Sequence, residues 1–280
     1  MPLVSCIITT YNRPDMVAGA VDSILSQTFN DLEVIVIDDC SPTSYEEVVT
    51  RYQSQIRYHR LAQNSGGCST GRNTGVAMAS GKYVAFLDDD DRWFPSKIEK
   101  QVRLMESNPG YVACSTGYVE SVSGKTVSLG LERIYQPMLY LRNLSGPPST
   151  LLVKKEIAEK YPFDETLIHA EDWDAYLGFS SLGTIGYLKE PLIQYNTDDH
   201  IRMCNQFAKL DVAQIERKAR AVEKNRMVIG EKNYRLRIAM YYLAGIKNRK
   251  KRFEQIGITI KRVGLGSTVN YLYHKLFRKI

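Results

Sequence analysis

Two runs rich in β-branched apolar residues, Leu3 to Thr9 and Leu32 to Ile37, and a third apolar run, Tyr83 to Leu87, each stop at a polar or acidic cluster. Mostly apolar runs of this length are what strands buried on both faces require, and they constrain the chain more than any other feature. Helical spacing separates them. Val17, Ala20, Val21, Ile24 and Leu25 form one apolar stripe, Tyr45 to Tyr52 another, and Arg72 to Ala79 a third, with a short strand expected at Ile56 to Tyr58. Strand alternating with helix predicts an α/β fold whose parallel sheet is covered by helices.

Beyond the third run, Pro95 is placed to open a helix carrying Ile98, Val102 and Met105, closed by Asn108-Pro109-Gly110. A strand is expected at Tyr111 to Thr116. The pattern weakens into hairpin-like pieces from Gly117 to Gly146, a stretch suited to specificity loops, and an apolar strand returns at Ser149 to Val153. After His200 the chain turns helical and basic, with one stripe at Val212, Ile215, Ala219 and Val222 and another at Ile238 to Leu243. The expected division is a catalytic part over 1–204, with halves 1–116 and 117–204, and a helical extension over 205–280.

Charge follows the same division. Residues 1–204 hold 18 Lys and Arg against 26 Asp and Glu, while residues 205–280 hold 19 against 5. A basic tail meets nucleic acid or an anionic membrane. The five cysteines, Cys6, Cys40, Cys68, Cys114 and Cys204, form no metal-ligand or redox pair, which predicts reduced thiols in the cytosol. Leu3 to Ile8 follows no basic segment and is read as a core strand rather than a signal peptide. No window reaches the roughly 18 apolar residues of a spanning helix, so a soluble or peripheral protein is expected.

In a doubly wound sheet, ligands bind beyond the carboxyl ends of the strands. The first run ends in Thr9-Thr10-Tyr11-Asn12-Arg13, which offers hydroxyls, an aromatic face and a cation suited to a base and phosphates. The second ends in Asp38-Asp39, able to accept from a base N–H or a ribose hydroxyl. Strand-end Thr and Asp also cap following helices, so each carries weight only with the others. The third ends in Asp88-Asp89-Asp90-Asp91, four adjacent carboxylates that repel unless a cation or basic group offsets them. Magnesium or manganese would take one or two of them plus diphosphate oxygens. A solvated acidic loop is the plainer alternative.

Gly66-Gly67-Cys68-Ser69-Thr70-Gly71-Arg72-Asn73 nearly matches a Walker A loop and literally matches G-x-S-x-G. Arg72-Asn73 replaces the Lys-Ser/Thr that the first needs, and Leu61 to Ser65 separates the strand from the serine that the second needs. Free N–H groups at a glycine-rich helix lead-in, with Arg72, remain suited to a phosphate. Glu171-Asp172-Trp173-Asp174 precedes an apolar helical run, where the acids either complement the helix dipole or supply a base. His200, within Asp198-Asp199-His200, is a candidate third metal ligand or a lone surface histidine.

Together, Thr9 to Arg13, Ile37-Asp38-Asp39, Arg72-Asn73, Leu87 to Asp91, Pro95-x-Lys97 and Glu171-Asp172 resemble the family 2 glycosyltransferases over about 1 to 200. The resemblance implies a GT-A fold, a Rossmann-like mixed sheet flanked by helices, and an inverting transfer from a nucleotide-diphosphate sugar, UDP-linked by family expectation. It implies Thr9, Tyr11 and Asp39 near the base, Asp88 near ribose, and Asp90 on Mn²⁺ or Mg²⁺; Arg13, Arg72 and Asp89 are carried beside them as nucleotide-sugar-binding candidates, and His200 as a further candidate metal ligand. Asp172 matches the catalytic base, with Glu171 and Trp173 on the acceptor side. Four aspartates stand where the family commonly shows D-x-D-D, so Asp88, Asp89 and Asp90 are all carried.

The resemblance stops before the basic tail. Lys247, Arg249, Lys250, Lys251 and Arg252 beside Phe253, Ile256 and Ile258, with Tyr271 to Lys279, point to an anionic bilayer surface rather than nucleic acid. A lipid-linked glycan acceptor in bacterial surface polysaccharide assembly, on the inner face of the cell membrane, would give such a tail a purpose. Two rival readings are a serine hydrolase built on Ser69, Asp172 and His200, and a non-enzymatic nucleic-acid binder.

Overall fold

The computed structural model describes residues 1–198, 210–244, 246 and 252–277. The chain divides into two compact units, Met1–Leu139 with Asn143–Glu165 and Ala175–Asp198, and Tyr140–Arg142 with Thr166–Asp174 and the chain from Asp199 onward.

The first unit is built on a ten-stranded mixed sheet. Its strands are β1 (Val4–Thr10), β2 (Leu32–Asp38), β3 (Ile56–Arg60), β4 (Tyr83–Asp88), β5 (Arg92–Trp93), β6 (Tyr111–Glu120), β7 (Thr126–Val127), β8 (Arg133–Ile134), β9 (Leu152–Lys154) and β10 (Thr184–Tyr195). The order is β3-β2-β1-β4-β9-β6-β10-β5, with β7 on β6 and β8 on β10. β3, β2, β1 and β4 are parallel, and β9 enters antiparallel between β4 and β6. All seven residues of β1 are buried, including the polar Ser5, Thr9 and Thr10, as a strand covered on both faces requires.

Helices α1 (Pro14–Leu25), α2 (Glu46–Tyr52), α3 (Cys68–Met78), α4 (Lys97–Ser107) and α5 (Lys155–Lys160) belong to this unit. Pro14 opens α1 at its first position, where the missing N–H costs nothing. Val17, Ala20, Val21 and Ile24 of α1 and Ile98, Val102 and Met105 of α4 join one core with alternate residues of β1, β2 and β4. α3 lies close to β1 because of two glycines. A Cβ at Gly75 would fall 2.4 Å from Ile7 Cγ2, and one at Gly71 would fall 2.9 Å from Thr9 Cγ2.

Helix α6 (Glu171–Leu182) begins in the second unit and passes into the first. The second unit also holds α7 (Val212–Lys218), α8 (Arg220–Lys224), α9 (Arg226–Leu243), α10 (Arg252–Val263) and α11 (Leu265–Phe277). α9 is interrupted at Gly230, whose φ of 76° is a left-handed value that glycine takes without strain. Asp211 caps α7 by accepting from Gln214 N, and Gln214 returns the bond to Asp211 N. No helix among the described residues is long and apolar enough to cross a membrane.

Candidate functional site

The parallel register brings three strand ends level, Thr9 beside Ile37 and Asp88, and Thr10 beside Asp38. At this carboxyl edge the four aspartates separate by burial. Asp88 and Asp90 side chains are 26% and 30% exposed, while Asp89 and Asp91 stand at 0% and 1%. Alternation follows from the chain leaving β4 in a turn closed by Asp91 N donating to Asp88 O at 3.0 Å.

The buried pair is held from three sides. Asp89 accepts from Thr10 Oγ1 at 2.7 Å and pairs with Arg13 Nη2 at 2.6 Å. Asp91 accepts from Ser149 Oγ at 2.5 Å and from Asn196 N at 2.8 Å. Ser149 Oγ also accepts from Asp88 N at 3.1 Å, so one hydroxyl ties the turn together. Burial pushes the Asp89 carboxyl up to about 7 against the pull of Arg13, and burial likewise raises Asp91.

The accessible pair faces two arginines. Arg72, 3% exposed and above the Phe163 ring at 5.2 Å, donates from Nη2 to Asp88 Oδ1 at 2.9 Å. Arg13 Nη1 reaches Asp90 Oδ2 at 3.3 Å. Asp90 also borders a cavity of about 280 Å³ with Arg92, Asn196 and Asp198.

Around Asp39 the loop closes on the carboxylate, with Ser65 N donating to Oδ1 at 2.8 Å and Asn64 Nδ2 to Oδ2 at 3.1 Å. Thr9 is buried and Tyr11 is 45% exposed. Between them and α1, Asn12 takes a left-handed φ of 56°, which asparagine tolerates, and its N–H donates to Ser41 Oγ at 2.7 Å. Tyr45 OH bonds Thr10 Oγ1 at 2.8 Å and accepts from Arg13 N at 2.9 Å. The first unit thus gathers Thr9, Tyr11, Arg13, Asp39, Arg72 and Asp88 to Asp90 at one edge. Ser149, Tyr45 and Asn64 complete it, and nothing in their local sequence marked them.

In the second unit, Asp172 and its neighbours form the first turn of α6, where Asp172 Oδ1 accepts from Trp173 N at 2.6 Å. Arg237 of α9 lies over the Trp173 ring at 3.7 Å and is 6% exposed. His169, edge-on to Tyr241, is depressed to about 4 by burial and then by Lys218. Asp174 is tied to Lys224 at 2.8 Å and to Asn225 at 2.5 Å. His200 lies outside the described residues.

Ser69 is 4% exposed in the first turn of α3, and residues 61–67 separate that helix from the end of β3, so no nucleophile elbow forms.

A sequence model of glycosyl transferase family 2 matches residues 5–161. The chain belongs to this family. An uncharacterized glycosyltransferase of Rickettsia prowazekii is 30% identical over 206 residues, which is 69% of this chain and 63% of that protein. The UDP-Glc:alpha-D-GlcNAc-diphosphoundecaprenol beta-1,3-glucosyltransferase WfaP of Escherichia coli is 32% identical over 185 residues, 65% of this chain and 72% of that one. The chain thus spans under two thirds of the first of these curated relatives. Among solved structures, S. aureus TarS in complex with UDP-GlcNAc superposes with a TM-score of 0.67 at 15% identity, covering 99% of this chain and 92% of TarS. The mannosyltransferase PcManGT of Pyrobaculum calidifontis, in complex with GDP-Man and Mn²⁺, gives 0.58 at 17% identity, covering 100% and 81%. The mixed sheet with flanking helices is the GT-A fold of the family 2 glycosyltransferases.

Proposed function

We propose that this chain is an inverting, metal-dependent hexosyltransferase that moves a sugar from a UDP-linked donor to a hydroxyl of a lipid-linked glycan in bacterial surface polysaccharide assembly. The observation that carries the reading is the alternation at the end of β4, where the accessible carboxylates Asp88 and Asp90 alternate with the buried Asp89 and Asp91 beside the ends of β1 and β2. Such a pair suits a hard cation that also takes diphosphate oxygens, since this ion needs only one or two protein carboxylates. Among the described residues no three His, Cys, Asp or Glu gather where they could hold a metal ion by themselves. Asp90, with Asp88, would hold the ion, and His200 is the proposed further ligand.

Thr9, Tyr11 and Asp39 take the nucleotide, Asp88 lies toward ribose, buried Asp89 holds Arg13 in place, and Arg13 and Arg72 add positive charge for phosphate. Bound Mn²⁺ or Mg²⁺ would offset the charge that develops on the diphosphate. Asp172 removes the proton of the acceptor hydroxyl as its oxygen attacks the anomeric carbon. The bond from that carbon to the diphosphate oxygen breaks on the opposite face, and its electron pair leaves with the nucleoside diphosphate. Glu171 and Trp173 stand on the acceptor side.

The UDP assignment draws on the donor named for WfaP and on the UDP-GlcNAc bound to TarS. The lipid-linked acceptor draws on the diphosphoundecaprenol substrate named for WfaP. We assign the work to the cytoplasmic face of the membrane, without nucleic acid.

The test is transfer with UDP-, GDP- and dTDP-sugars onto a lipid-linked acceptor extract, with and without Mn²⁺ or Mg²⁺, for wild type, Asp90→Ala and Asp172→Asn. Metal-dependent turnover lost in both folded variants supports the assignment. Full turnover in chelator, or in Asp172→Asn, refutes the metal or the base respectively.

A further inference from the structure

The last two helices of the second unit bury three polar residues and expose four large apolar ones. Gln255 and Thr259 of α10 and Thr268 of α11 are 7%, 0% and 1% exposed. The threonines satisfy themselves locally, Thr259 Oγ1 donating to Gln255 O at 2.7 Å and Thr268 Oγ1 to Gly264 O at 2.9 Å. Phe253, Leu265, Val269 and Tyr273 are instead 78%, 62%, 54% and 53% exposed. Leu265, Val269 and Tyr273 recur every fourth residue, so they stand on one face of α11. A surface helix of a water-soluble domain would turn such a stripe toward its core.

The same stretch is strongly cationic. Residues 247–280 contain ten Lys and Arg and one acid, Glu254, and Lys261 at the end of α10 is exposed. Apolar side chains on one helical face within a basic segment match the interfacial layer of an anionic bilayer, where phosphates meet acyl chains. Nucleic acid would use the cations and leave the stripe in water, and a second copy would bring its own positive charge against this one.

We propose that Leu265, Val269 and Tyr273 of α11, with Phe253 of α10, insert into the interfacial layer of an anionic lipid bilayer while the surrounding Lys and Arg bind its headgroups. The helices lie on the membrane and do not span it. This surface would present the chain to a lipid-linked acceptor, yet its existence does not depend on the transferase reading.

Co-sedimentation of the full chain with phosphatidylglycerol-containing vesicles, and with vesicles of phosphatidylcholine alone, tests it. The wild type should bind the anionic vesicles at least about tenfold more tightly and weaken as salt rises. Leu265→Ser/Val269→Ser/Tyr273→Ser should lose about tenfold or more of that affinity, because three apolar groups no longer enter the lipid. These residues face solvent, so the variant should keep its circular dichroism and its UDP binding; Phe253→Ser alone, with a smaller loss, guards against misfolding. Equal vesicle binding by wild type and both variants overturns the proposal. So does a wild type that ignores anionic vesicles, binds DNA in their place, or forms dimers that the triple variant dissolves. UDP titration of the same samples reports on the transferase reading separately.

Discussion

Lys97 supplies the sharpest test of how this core was assembled. It is wholly buried at the start of α4, with Nζ over the Trp93 ring at 4.0 Å and bonded to Gln101 Oε1 at 2.6 Å. Burial depresses its amine from 10.5 to about 7, although the neighbouring Cys114 and Cys6 pull the other way. The unfolded chain therefore binds a proton that the folded chain releases between pH 7 and 10.5, so stability must rise with pH across that window. The fall from 10.5 to about 7, at about 1.4 kcal/mol per tenfold change in proton affinity, makes the charged burial cost about 5 kcal/mol below pH 7. By pH 9 the remaining cost is about 2 kcal/mol, so this residue alone adds about 3 kcal/mol between pH 6 and pH 9. Lys97→Met keeps the volume over Trp93 and removes the titration, leaving Gln101 Oε1 short of a donor at a cost of about 1 to 3 kcal/mol at every pH. Urea unfolding of both proteins at pH 6 and pH 9 should show the wild type gaining on the variant by about 3 kcal/mol as pH rises. Parallel pH profiles would refute the claim that the amine loses its proton in the core.

Removing the Ser149 hydroxyl in Ser149→Ala deprives buried Asp91 and the Asp88 N–H of a partner, and should cost about 2 kcal/mol in urea unfolding together with UDP affinity by calorimetry. Gly75→Ala should cost about 1 to 3 kcal/mol because its Cβ would meet Ile7 Cγ2 at 2.4 Å; in a double-mutant cycle with Ile7→Ala, the pair should lose less than the sum of the single losses. Iodoacetamide at pH 8 should label Cys40 and Cys68, which are partly exposed, and spare Cys6 and Cys114, whose thiols burial pushes up to about 12; peptide mass spectrometry reads the outcome.

What could be read in the sequence was what burial forces on composition. β1, β2 and β4 must be apolar on both faces, so their runs stand out and end where the site begins. α3 was expected from Arg72 but begins at Cys68, after an extended Gly67. Cys-Ser-Thr-Gly favours no helix by propensity, and what holds it there is the close approach of Gly71 and Gly75 to β1. A strand over Ser149 to Val153 was likewise too early. Pro148–Thr150 is a short 3₁₀ turn, and the strand is Leu152–Lys154, because Ser149 and Thr150 turn their hydroxyls to Asp91 and to Ser145 O. β10 carried no periodic signal, since register shifts between Leu188 and Pro191 and between Pro191 and Ile193 break its alternation.

The four aspartates mark the boundary between what composition can and cannot reveal. As letters they are identical, and the acidic run says only that something must offset the charge. Their roles come from residues distant in sequence: Thr10 and Arg13 close on Asp89, and Ser149 and Asn196 close on Asp91. Those bonds could have fixed the turn with neutral side chains. Carboxylates in the buried positions do something further, because Asp89 draws Arg13 across to where its Nη1 also meets Asp90. A buried acid thereby sets the position of the cation beside an accessible one. Replacing Asp89 by Asn should consequently release Arg13 and weaken the binding of a diphosphate more than its own burial would suggest, whereas an unchanged affinity for UDP would show that Arg13 holds its place without it.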